Sequence, residues 1–270
     1  MRHGGDMSET KVLIIAAGLG SRMSDLTHDK PKCMVDFHGQ TLLQRQMDAY
    51  REAGLSKFAL VRGYKKERID YPSITYFEND DFINNNILCS MFFAEEYLEG
   101  DVVVGYSDIL FNSDIVSKLL AAKDDIAIVV DTDWQDYYVG RVDHPISEAE
   151  NVIFDTNKNV VQIGKHLGDA NNVSGEFIGM LKLTARGVKI FKEYFNAAKQ
   201  EYWGKPFHKA ATFQVAYITD MIQELVNQGI RVGCMPIQRG WKEIDTLEDH
   251  TKAVAALAAE YDAKASDDGE

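Results

Sequence analysis

The sequence predicts a three-layer α/β protein built around a mixed, mostly parallel sheet. Three observations support this fold class. Apolar strand-like runs alternate with amphipathic helix-like segments over residues 11–131, a glycine-rich turn follows the first run, and closely spaced strands replace the alternation after residue 131. Alternation favours parallel strands with right-handed crossovers, whereas short spacings favour antiparallel pairing. We therefore expect a small antiparallel subregion in the second half of the chain.

The first half alternates strands and helices. Lys11–Ala16 (KVLIIA) is a continuous apolar run, which is typical of a strand covered on both faces. Gln40–Ala53 places Leu43, Met47 and Tyr50 on one helical face and is followed by a glycine. The other predicted elements are strand Lys57–Val61, strand Ile74–Phe77, helix Ile87–Leu98, strand Asp101–Tyr106, helix Ile115–Ala122 and strand Ile126–Val130.

The second half begins with clustered strands and ends with helices. In chain order we predict strands Val152–Asp155, Val160–Gly164 and Glu176–Leu183, helices Ala185–Lys199 and Phe213–Asn227, strand Arg231–Pro236, an extended segment Trp241–Asp245 and helix Leu247–Tyr261. No linker rich in proline, glycine or serine separates the halves. We therefore expect a single domain over residues 11–263, with a flexible lead-in at 1–10 and a flexible acidic tail at 264–270.

Composition excludes several classes of function. The 270 residues carry 29 Lys+Arg against 42 Asp+Glu, a net charge of -13, which argues against a nucleic acid or an anionic membrane as partner. No apolar run reaches the ~20 residues of a membrane span. The polar first ten residues lack a signal core, and Met1 or Met7 could be the natural start. Cys33, Cys89 and Cys234 are far apart, so we expect reduced buried thiols and a cytoplasmic location.

The strongest motif is the glycine turn after the first strand. It runs from Ile14 to Arg22 (IIAAGLGSR) and is followed by Lys30-Pro31-Lys32. A dinucleotide-binding fingerprint would have a third glycine where this chain has Met23, and a P-loop would end in Gly-Lys-Ser/Thr. What remains is a backbone that a phosphate can approach closely, an arginine fork and a mobile lysine charge. The pattern predicts a site for a phosphate-bearing ligand.

This stretch resembles the signature of the sugar-phosphate nucleotidyltransferase-like family, which has the Rossmann-like glycosyltransferase A-type fold. The likeness is greatest to members that transfer CMP from CTP to phosphocholine, phosphonates and similar small acceptors. It implies a nucleotide-binding half at 11–131 and an acceptor-binding half at 132–263. It also implies that Lys32 neutralises the attacked phosphate and that the triphosphate is wrapped by Ala16, Ala17, Gly18, Leu19, Gly20, Ser21 and Arg22.

Further parts of the resemblance concern the base and the metal. Asn86 and Ser90 match an asparagine–serine segment near the nucleobase, although a helix N-cap is an equally good interpretation of Asn86. Ser107 would contact the nucleotide, and the adjacent Asp108 matches the first metal aspartate. Asp245 matches the second. Two carboxylates at strand ends suit Mg²⁺, which prefers oxygen ligands and substrate phosphates. Glu243 either orients the metal or is only a strand residue.

The acceptor side is less clearly marked. Lys165 matches a lysine that contacts the acceptor phosphate in relatives, although a surface lysine is the alternative. Carboxylates and aromatic rings would suit an amine headgroup, because carboxylates pair with a primary ammonium and aromatic faces bind a quaternary one. A polar rim with aromatic core residues is equally compatible with the pattern. The expected acceptor-binding residues are Asp131, Trp134, Tyr137, Arg141, Lys165 and Glu176.

These features together predict a Mg²⁺-dependent cytidylyltransferase in which Arg22, Lys32, Lys165 and Asp108 are catalytic. The preferred acceptor is 2-aminoethylphosphonate, with phosphocholine, phosphoglutamine or a sugar 1-phosphate as alternatives. Converging rings would favour choline, and carboxylates without a ring cage would favour a primary amine. A glycosyltransferase is a weaker hypothesis, because the segment Tyr106–Asp108 lacks an Asp-x-Asp pattern. A nucleotide-sensing module without activity is another. A homodimer is compatible with the family.

Overall fold

The computed structural model describes residues 10–167 and 172–267, and the predicted lead-in lies almost wholly outside them. The strands are β1 (Lys11–Ala16), β2 (Asp36–Phe37), β3 (Gln40–Thr41), β4 (Lys57–Arg62), β5 (Ile74–Glu78), β6 (Val102–Tyr106), β7 (Ile109–Phe111), β8 (Ile126–Asp131), β9 (Asn151–Phe154), β10 (Val160–Gly164), β11 (Gly175–Leu183), β12 (Gly233–Ile237) and β13 (Trp241–Glu243). The helices are α1 (Ser24–Thr27), α2 (Leu42–Glu52), α3 (Ile87–Met91), α4 (Ser113–Ala121), α5 (Trp134–Tyr137), α6 (Ala185–Tyr202), α7 (Ile218–Asn227) and α8 (Leu247–Asp267).

In the part of the chain that the structure describes, nine strands form one mixed sheet that includes strands from both halves. Its main order is β10-β9-β11-β6-β1-β4-β5, and β8 pairs with both β11 and β12. β1 is parallel to β4 and β6, β4 to β5, and β8 to β12. β11 runs antiparallel to β6, β8 and β9. The carboxyl ends of β1, β6 and β8 therefore lie at the same edge of the sheet, and the predicted fold class is confirmed.

Helices cover both faces of the sheet because the strand residues alternate between two buried cores. Leu13 and Ile15 of β1 face the core that is completed by α3, α6 and α7. Val12 and Ile14 face the opposite core, under α2 and α4. This arrangement produces the three layers. A smaller cluster joins α8 to the segment before α2.

β11 is irregular near its centre, where it passes the end of β6. Its register with β8 shifts between Phe177 and Leu181, and Gly179 there has φ +81°. A Cβ on this glycine would lie 2.5 Å from Cδ2 of the Tyr106 ring. Glycine is therefore required both for the backbone conformation and for the close approach of the ring at the end of β6.

Several predicted helix boundaries are corrected by local capping. The predicted helix Ile87–Leu98 is α3 followed by a 3₁₀ segment, Phe92–Tyr97, with a non-helical φ at Ala94. The predicted helix Gln40–Ala53 begins only at Leu42, because the hydroxyl of Thr41 accepts from the backbone N–H of Gln44 at 3.1 Å.

Two further boundaries differ near the C-terminus. The predicted helix Phe213–Asn227 is a 3₁₀ turn, Phe213–Val215, followed by α7. Asp220 fixes the start of α7 by accepting from the backbone N–H of Tyr217 at 2.8 Å. α8 extends to Asp267, through the first residues of the predicted tail, and 268–270 lie outside the described residues. Within the described residues, none of the helices is both long enough and apolar enough to cross a membrane.

Candidate active site

A cavity of about 300 Å³ opens at the sheet edge formed by the ends of β1 and β6. All ten predicted nucleotide-binding residues line it, together with the predicted Lys32, Asp108 and Asp245. Six residues that were not predicted also line the cavity: Ile15, Cys33, Phe82, Asn85, Ile87 and Tyr106. Asn85 could have been found, because it lies beside Asn86 in a run of three asparagines, whereas Phe82 and Cys33 have no local sequence signal.

The glycine loop folds over the base of the cavity. Gly20 has φ +61°, and its carbonyl accepts from the Met23 N–H at 3.1 Å and from the Thr27 hydroxyl at 3.0 Å. A Cβ at Gly20 would lie 3.1 Å from Cβ of Lys32, so the loop and this lysine are packed tightly against each other. Ser21–Met23 then forms a 3₁₀ turn that carries Arg22. The local fold thus presents an arginine and a lysine on one side of a compact turn.

The opposite wall is held by a polar network. Asn79 is fully buried and donates from Nδ2 to Oδ1 of Asn85 and to Oγ of Ser90, both at 2.8 Å. The Ser90 hydroxyl in turn donates to Oδ1 of Asn85 at 3.0 Å. Asn86 is the N-cap of α3 and accepts from the Ile87 N–H at 2.8 Å. Asn86 therefore lines the cavity and caps the helix, so both sequence interpretations describe it.

Lys32 joins the two predicted metal aspartates. Its Nζ donates to Oδ2 of Asp108 at 3.0 Å and also to Oδ1 of Asp245. Asp245 Oδ2 lies 2.7 Å from Nη2 of Arg22 and 2.9 Å from Nδ1 of His144. Asp108 and Asp245 thus contact the same ammonium, although they lie 76 and 213 positions from Lys32 in the sequence. The fold collects two carboxylates and two permanent cations at the cavity floor.

The charged groups at the cavity floor shift one another's pKa values. Burial alone would lower the pKa of the Lys32 ammonium, but Asp108 and Asp245 outweigh burial and raise it above its usual range. Burial would raise the pKa of the Asp245 carboxyl, yet Lys32, with His144 and Arg22, holds it well below its usual range. Asp245 is therefore ionised and Lys32 protonated at neutral pH.

The two aspartates fit the chemistry of a magnesium ion. One carboxylate oxygen of each aspartate accepts from the Lys32 ammonium, so the two carboxylates face a common point. Mg²⁺ prefers such hard oxygen ligands together with phosphate oxygens and water. Asp108 Oδ1 is buried and has no hydrogen-bond partner among the described residues. An unsatisfied buried oxygen is costly unless a ligand completes it. The residues present therefore fit a divalent cation.

His144 is a site residue that sequence reasoning missed. It is buried, and besides its contact with Asp245 its Nε2 lies 3.7 Å from Oε2 of Glu243. The ligand atoms of His144, Glu243 and Asp245 all lie within 4.8 Å of one another. Arginines already pair with both carboxylates, however: Arg22 with Asp245 and Arg141 with Glu243. No sequence pattern links a histidine at this position to a carboxylate 101 residues later.

Asp131, a predicted acceptor-binding residue, is fully buried and does not line the cavity. Its carboxylate accepts from the indole N–H of Trp241 at 2.7 Å and from the backbone N–H groups of Asp133 at 3.0 Å and Arg239 at 3.1 Å. It also forms an ion pair with the Arg239 guanidinium. Asp131 thus fastens the end of β8 to the segment that begins β13.

The predicted aromatic residues do not form an empty cage. Trp134 is buried in a small core with Ala149 and Tyr138, a neighbouring ring that was not among the predicted residues. The guanidinium of Arg141 lies over the rings of Tyr137 and Tyr138, 4.8 and 5.2 Å from their centroids. A second guanidinium, that of Arg239, lies 4.5 Å from the Tyr137 centroid. These ring faces already hold cations of the protein itself.

Arg141 supports the strand end that carries Asp245. Its side chain is 1% exposed, and it donates from Nε and Nη2 to the two oxygens of Asp249 at 2.7 and 2.8 Å. Nη2 also donates to Glu243 at 3.0 Å. Asp249 in turn accepts from the N–H groups of Asp245 and Thr246. This bidentate pair therefore fixes the backbone next to the proposed metal ligand.

Lys165 and Glu176 lie in the acceptor half, outside the residues that line the cavity. Lys165 Nζ donates to Oε2 of Glu148 at 2.9 Å and lies over the Tyr217 ring, 4.9 Å from its centroid. Glu176 accepts from the Tyr138 hydroxyl at 2.5 Å, and its Oε2 has no hydrogen-bond partner among the described residues. Burial raises the pKa of Glu176 well above its usual range.

Comparisons with known proteins show which proteins this chain resembles. A family model described as the MobA-like NTP transferase domain matches residues 12–166. The chain is 27% identical over 248 residues to CTP:phosphoglutamine cytidylyltransferase of Campylobacter jejuni, which covers 88% of this chain and 96% of the relative. It is 32% identical over 101 residues to 2-aminoethylphosphonate cytidylyltransferase of Lancefieldella rimae, which covers 36% of this chain and 41% of the relative.

The fold has a close match among solved structures. CTP:phosphocholine cytidylyltransferase from Streptococcus pneumoniae superposes with a TM-score of 0.70 at 19% sequence identity, covering 92% of this chain and 99% of that one. The family resemblance seen in the glycine loop is thereby confirmed. Because the family model spans more than half of the sequence, this chain belongs to the MobA-like NTP transferase family of nucleotidyltransferases.

Proposed function

We propose that this protein transfers CMP from CTP to a small phosphorylated or phosphonylated primary amine and releases pyrophosphate. The observation that carries the proposal is the cavity floor, where Lys32 and Arg22 meet Asp108 and Asp245 beneath a glycine loop. Such a floor suits a triphosphate and a divalent cation. CTP is favoured because the relative that matches along nearly its whole length is a cytidylyltransferase.

In the proposed reaction an anionic oxygen of the acceptor attacks the α-phosphorus of CTP. The new bond joins that oxygen to phosphorus, and the bond to the β-phosphate oxygen breaks, so that pyrophosphate leaves with the electron pair. No general base is needed, because the acceptor is already anionic at neutral pH. The main obstacle is repulsion between two anions, which positioned cations reduce.

Each charged residue of the site has its own role in the proposed reaction. Arg22 and Lys32 leave their carboxylate partners and pair with phosphate oxygens, Arg22 as a fork and Lys32 as a point charge at the α-phosphate. Asp108 and Asp245 are then free to hold Mg²⁺. A bound Mg²⁺ supplies charge neutralisation at the α-phosphate and the leaving group. Lys165 holds the acceptor's phosphorus group from the other half of the molecule.

The choice of a primary amine follows from the aromatic residues. A quaternary ammonium such as choline needs open ring faces, and Arg141 and Arg239 cover those of Tyr137 and Tyr138. The acceptor half instead offers carboxylates, including Glu148 and Glu150 near Lys165. Carboxylates are the natural partners of a primary ammonium. 2-Aminoethylphosphonate and phosphoglutamine are both members of this class.

Pyrophosphate release with Mg²⁺ tests the proposal. The four nucleoside triphosphates are each crossed with 2-aminoethylphosphonate, phosphoglutamine, phosphocholine and glucose 1-phosphate. We expect release with CTP and one of the two primary amines. Release with UTP or dTTP and glucose 1-phosphate would contradict the assignment of both the base and the acceptor. No release with any pair, together with a melting temperature raised by CTP and Mg²⁺, would favour a nucleotide-sensing module instead.

A further inference from the structure

Two glutamates and one lysine lie together where the acceptor half meets the nucleotide cavity. The antiparallel register that pairs Gly164 of β10 with Asn151 of β9 brings Lys165 beside Glu150. Lys165 donates to Glu148 at 2.9 Å. The side chains of Lys165 and Glu148 are 25% and 39% exposed, so this pair is within reach of a ligand. We call Glu148, Glu150 and Lys165 the acceptor triad.

Glu150 has a different environment from Glu148. It accepts from the Thr219 hydroxyl at 2.7 Å, and no lysine, arginine or histidine forms an ion pair with it in the part of the chain that the structure describes. Burial raises the pKa of Glu150 to about 7, although the Thr219 hydroxyl and the positive charge of Lys165 both act to lower it. A half-buried carboxylate without a cationic partner is unfavourable once ionised. Glu150 is therefore a carboxylate for which a cationic ligand would be stabilising.

The acceptor triad is electrostatically connected to the nucleotide cavity through Tyr106. This tyrosine lines the cavity at the end of β6. Burial, followed by the charges of Glu150 and Asp108, raises its pKa well above the usual range. The charges of Glu150 and of the proposed metal aspartate therefore both act on the Tyr106 hydroxyl. A ligand beside the triad would thus be near a residue that lines the cavity.

The charge balance of the triad points to a ligand that carries both signs. Without a ligand, one ammonium faces two carboxylates. If the acceptor's phosphorus group takes Lys165 away from Glu148, both carboxylates lose their nearest cation. An ammonium on the same acceptor would replace that cation, whereas an acceptor without an amine would leave Glu150 without a nearby cation and Glu148 with only the more distant charges of His144 and Arg22. Such uncompensated charge is costly in a partly buried site.

We propose that Glu148 and Glu150 bind the ammonium of the acceptor in exchange for Lys165, and so select zwitterionic acceptors over purely anionic ones. This inference rests on the proposed transfer of CMP and adds to it the residues that determine acceptor specificity. Glu150 provides the inner carboxylate, because Thr219 fixes its orientation. Glu148 provides the outer one, released when Lys165 moves to the phosphorus group.

The test compares each amine acceptor with an analogue that lacks the ammonium charge. The pairs are 2-aminoethylphosphonate with ethylphosphonate, and phosphoglutamine with its N-acetyl derivative, and the pair that the wild type turns over is used. Steady-state kinetics are measured for the wild type, Glu150→Gln, Glu148→Gln and Glu148→Asp. Glu193→Gln, at an exposed position on α6, is the matched control. The melting temperature of each variant is recorded, and only folded variants are compared.

We expect the wild type to prefer the charged amine. Each Gln variant should raise KM for that acceptor about ten- to a hundredfold, the scale of a lost hydrogen bond between charged groups. KM for CTP should stay near the wild-type value, whereas KM for the uncharged acceptor should fall, because each Gln variant leaves one carboxylate fewer without a cation. Glu148→Asp should retain the preference, because it keeps the charge. Since Glu148 is partly exposed, its variants give a result even where Glu150→Gln does not fold.

Failure of the inference can be separated from failure of the proposed function. No pyrophosphate release by the wild type with either acceptor pair would overturn both. Release with equal efficiency for charged and uncharged acceptors would leave CMP transfer in place and overturn amine recognition. A wild type that prefers the amine, with Gln variants that keep the same ratio, would overturn only the assignment to Glu148 and Glu150.

Discussion

The two halves of this protein, which are predicted to bind the nucleotide and the acceptor, are encoded in different ways. The predicted nucleotide residues come from a few short segments at strand ends, and all of them line one cavity. The predicted acceptor residues Asp131, Trp134, Tyr137 and Arg141 instead form a buried network that holds β8, β13 and α8 together. Polar and aromatic residue types thus correctly indicated the lining of the cavity only where a glycine loop and parallel strand ends fixed their location.

The largest expected effect would show whether Arg141, in the acceptor half, stabilises the fold or binds a ligand. Arg141→Ala removes the buried partner of Asp249 and Glu243, and breaking a buried pair in this way costs about 3–5 kcal/mol. We expect the free energy of unfolding, measured with urea, to fall by that amount. Arg186→Ala, whose side chain is 78% exposed, is the control and should change stability by less than about 1 kcal/mol. Unchanged stability with weaker acceptor binding would instead make Arg141 a ligand-binding residue.

The second prediction concerns the nucleotide half. Lys32→Ala should lower kcat roughly 10²–10³-fold, the usual consequence of losing one preorganised charge at a reacting group. Pyrophosphate release under saturating CTP measures this. Lys30→Ala is the matched control, because Lys30 lies two residues away and does not line the cavity. Activity of Lys32→Ala within tenfold of the wild type would show that Lys32 has no catalytic role.

A smaller effect should appear in the pH dependence of stability. Burial raises the pKa of Glu150 from about 4.5 to about 7, so between these values the folded state keeps a proton that the unfolded state has released. The contribution of this group to stability is therefore full below about pH 4.5 and is lost as the pH rises through about 7. Glu150→Gln cannot ionise, so its free energy of unfolding should fall less than that of the wild type between about pH 5 and about pH 8. Parallel curves would contradict the raised pKa that follows from the half-buried position of Glu150, which has no cationic partner among the described residues.

The smallest expected effect concerns Tyr137. Its hydroxyl donates to the Glu243 carbonyl at 2.9 Å and accepts from the Glu243 N–H at 3.1 Å. Tyr137→Phe should reduce the free energy of unfolding by about 1 kcal/mol and leave KM for the acceptor unchanged. Thermal unfolding and acceptor kinetics measure both. A rise in KM for the acceptor without a loss of stability would instead indicate that Tyr137 binds the acceptor.

Much of the fold could be predicted because local patterns and parallel-strand geometry agree. The run KVLIIA required burial on both faces, and the structure buries it between helices on each side. The errors occurred where a capping interaction decides a boundary, as at Thr41 and Asp220. Such interactions depend on single side-chain orientations, whereas hydrophobic periodicity averages over a whole element.

By itself the sequence determined the fold class and the glycine loop, and its resemblance to a known family indicated the cation and carboxylate residues of the predicted nucleotide site. The fold class and the loop follow from a contiguous motif and from the alternation of strands and helices. Only the tertiary structure decided that Lys32 joins Asp108 to Asp245, that His144 lies beside them, and that Arg141 is bound internally. Whether a charged side chain faces a ligand or a distant partner of the same chain depends on contacts between residues more than a hundred positions apart, which local sequence patterns do not contain.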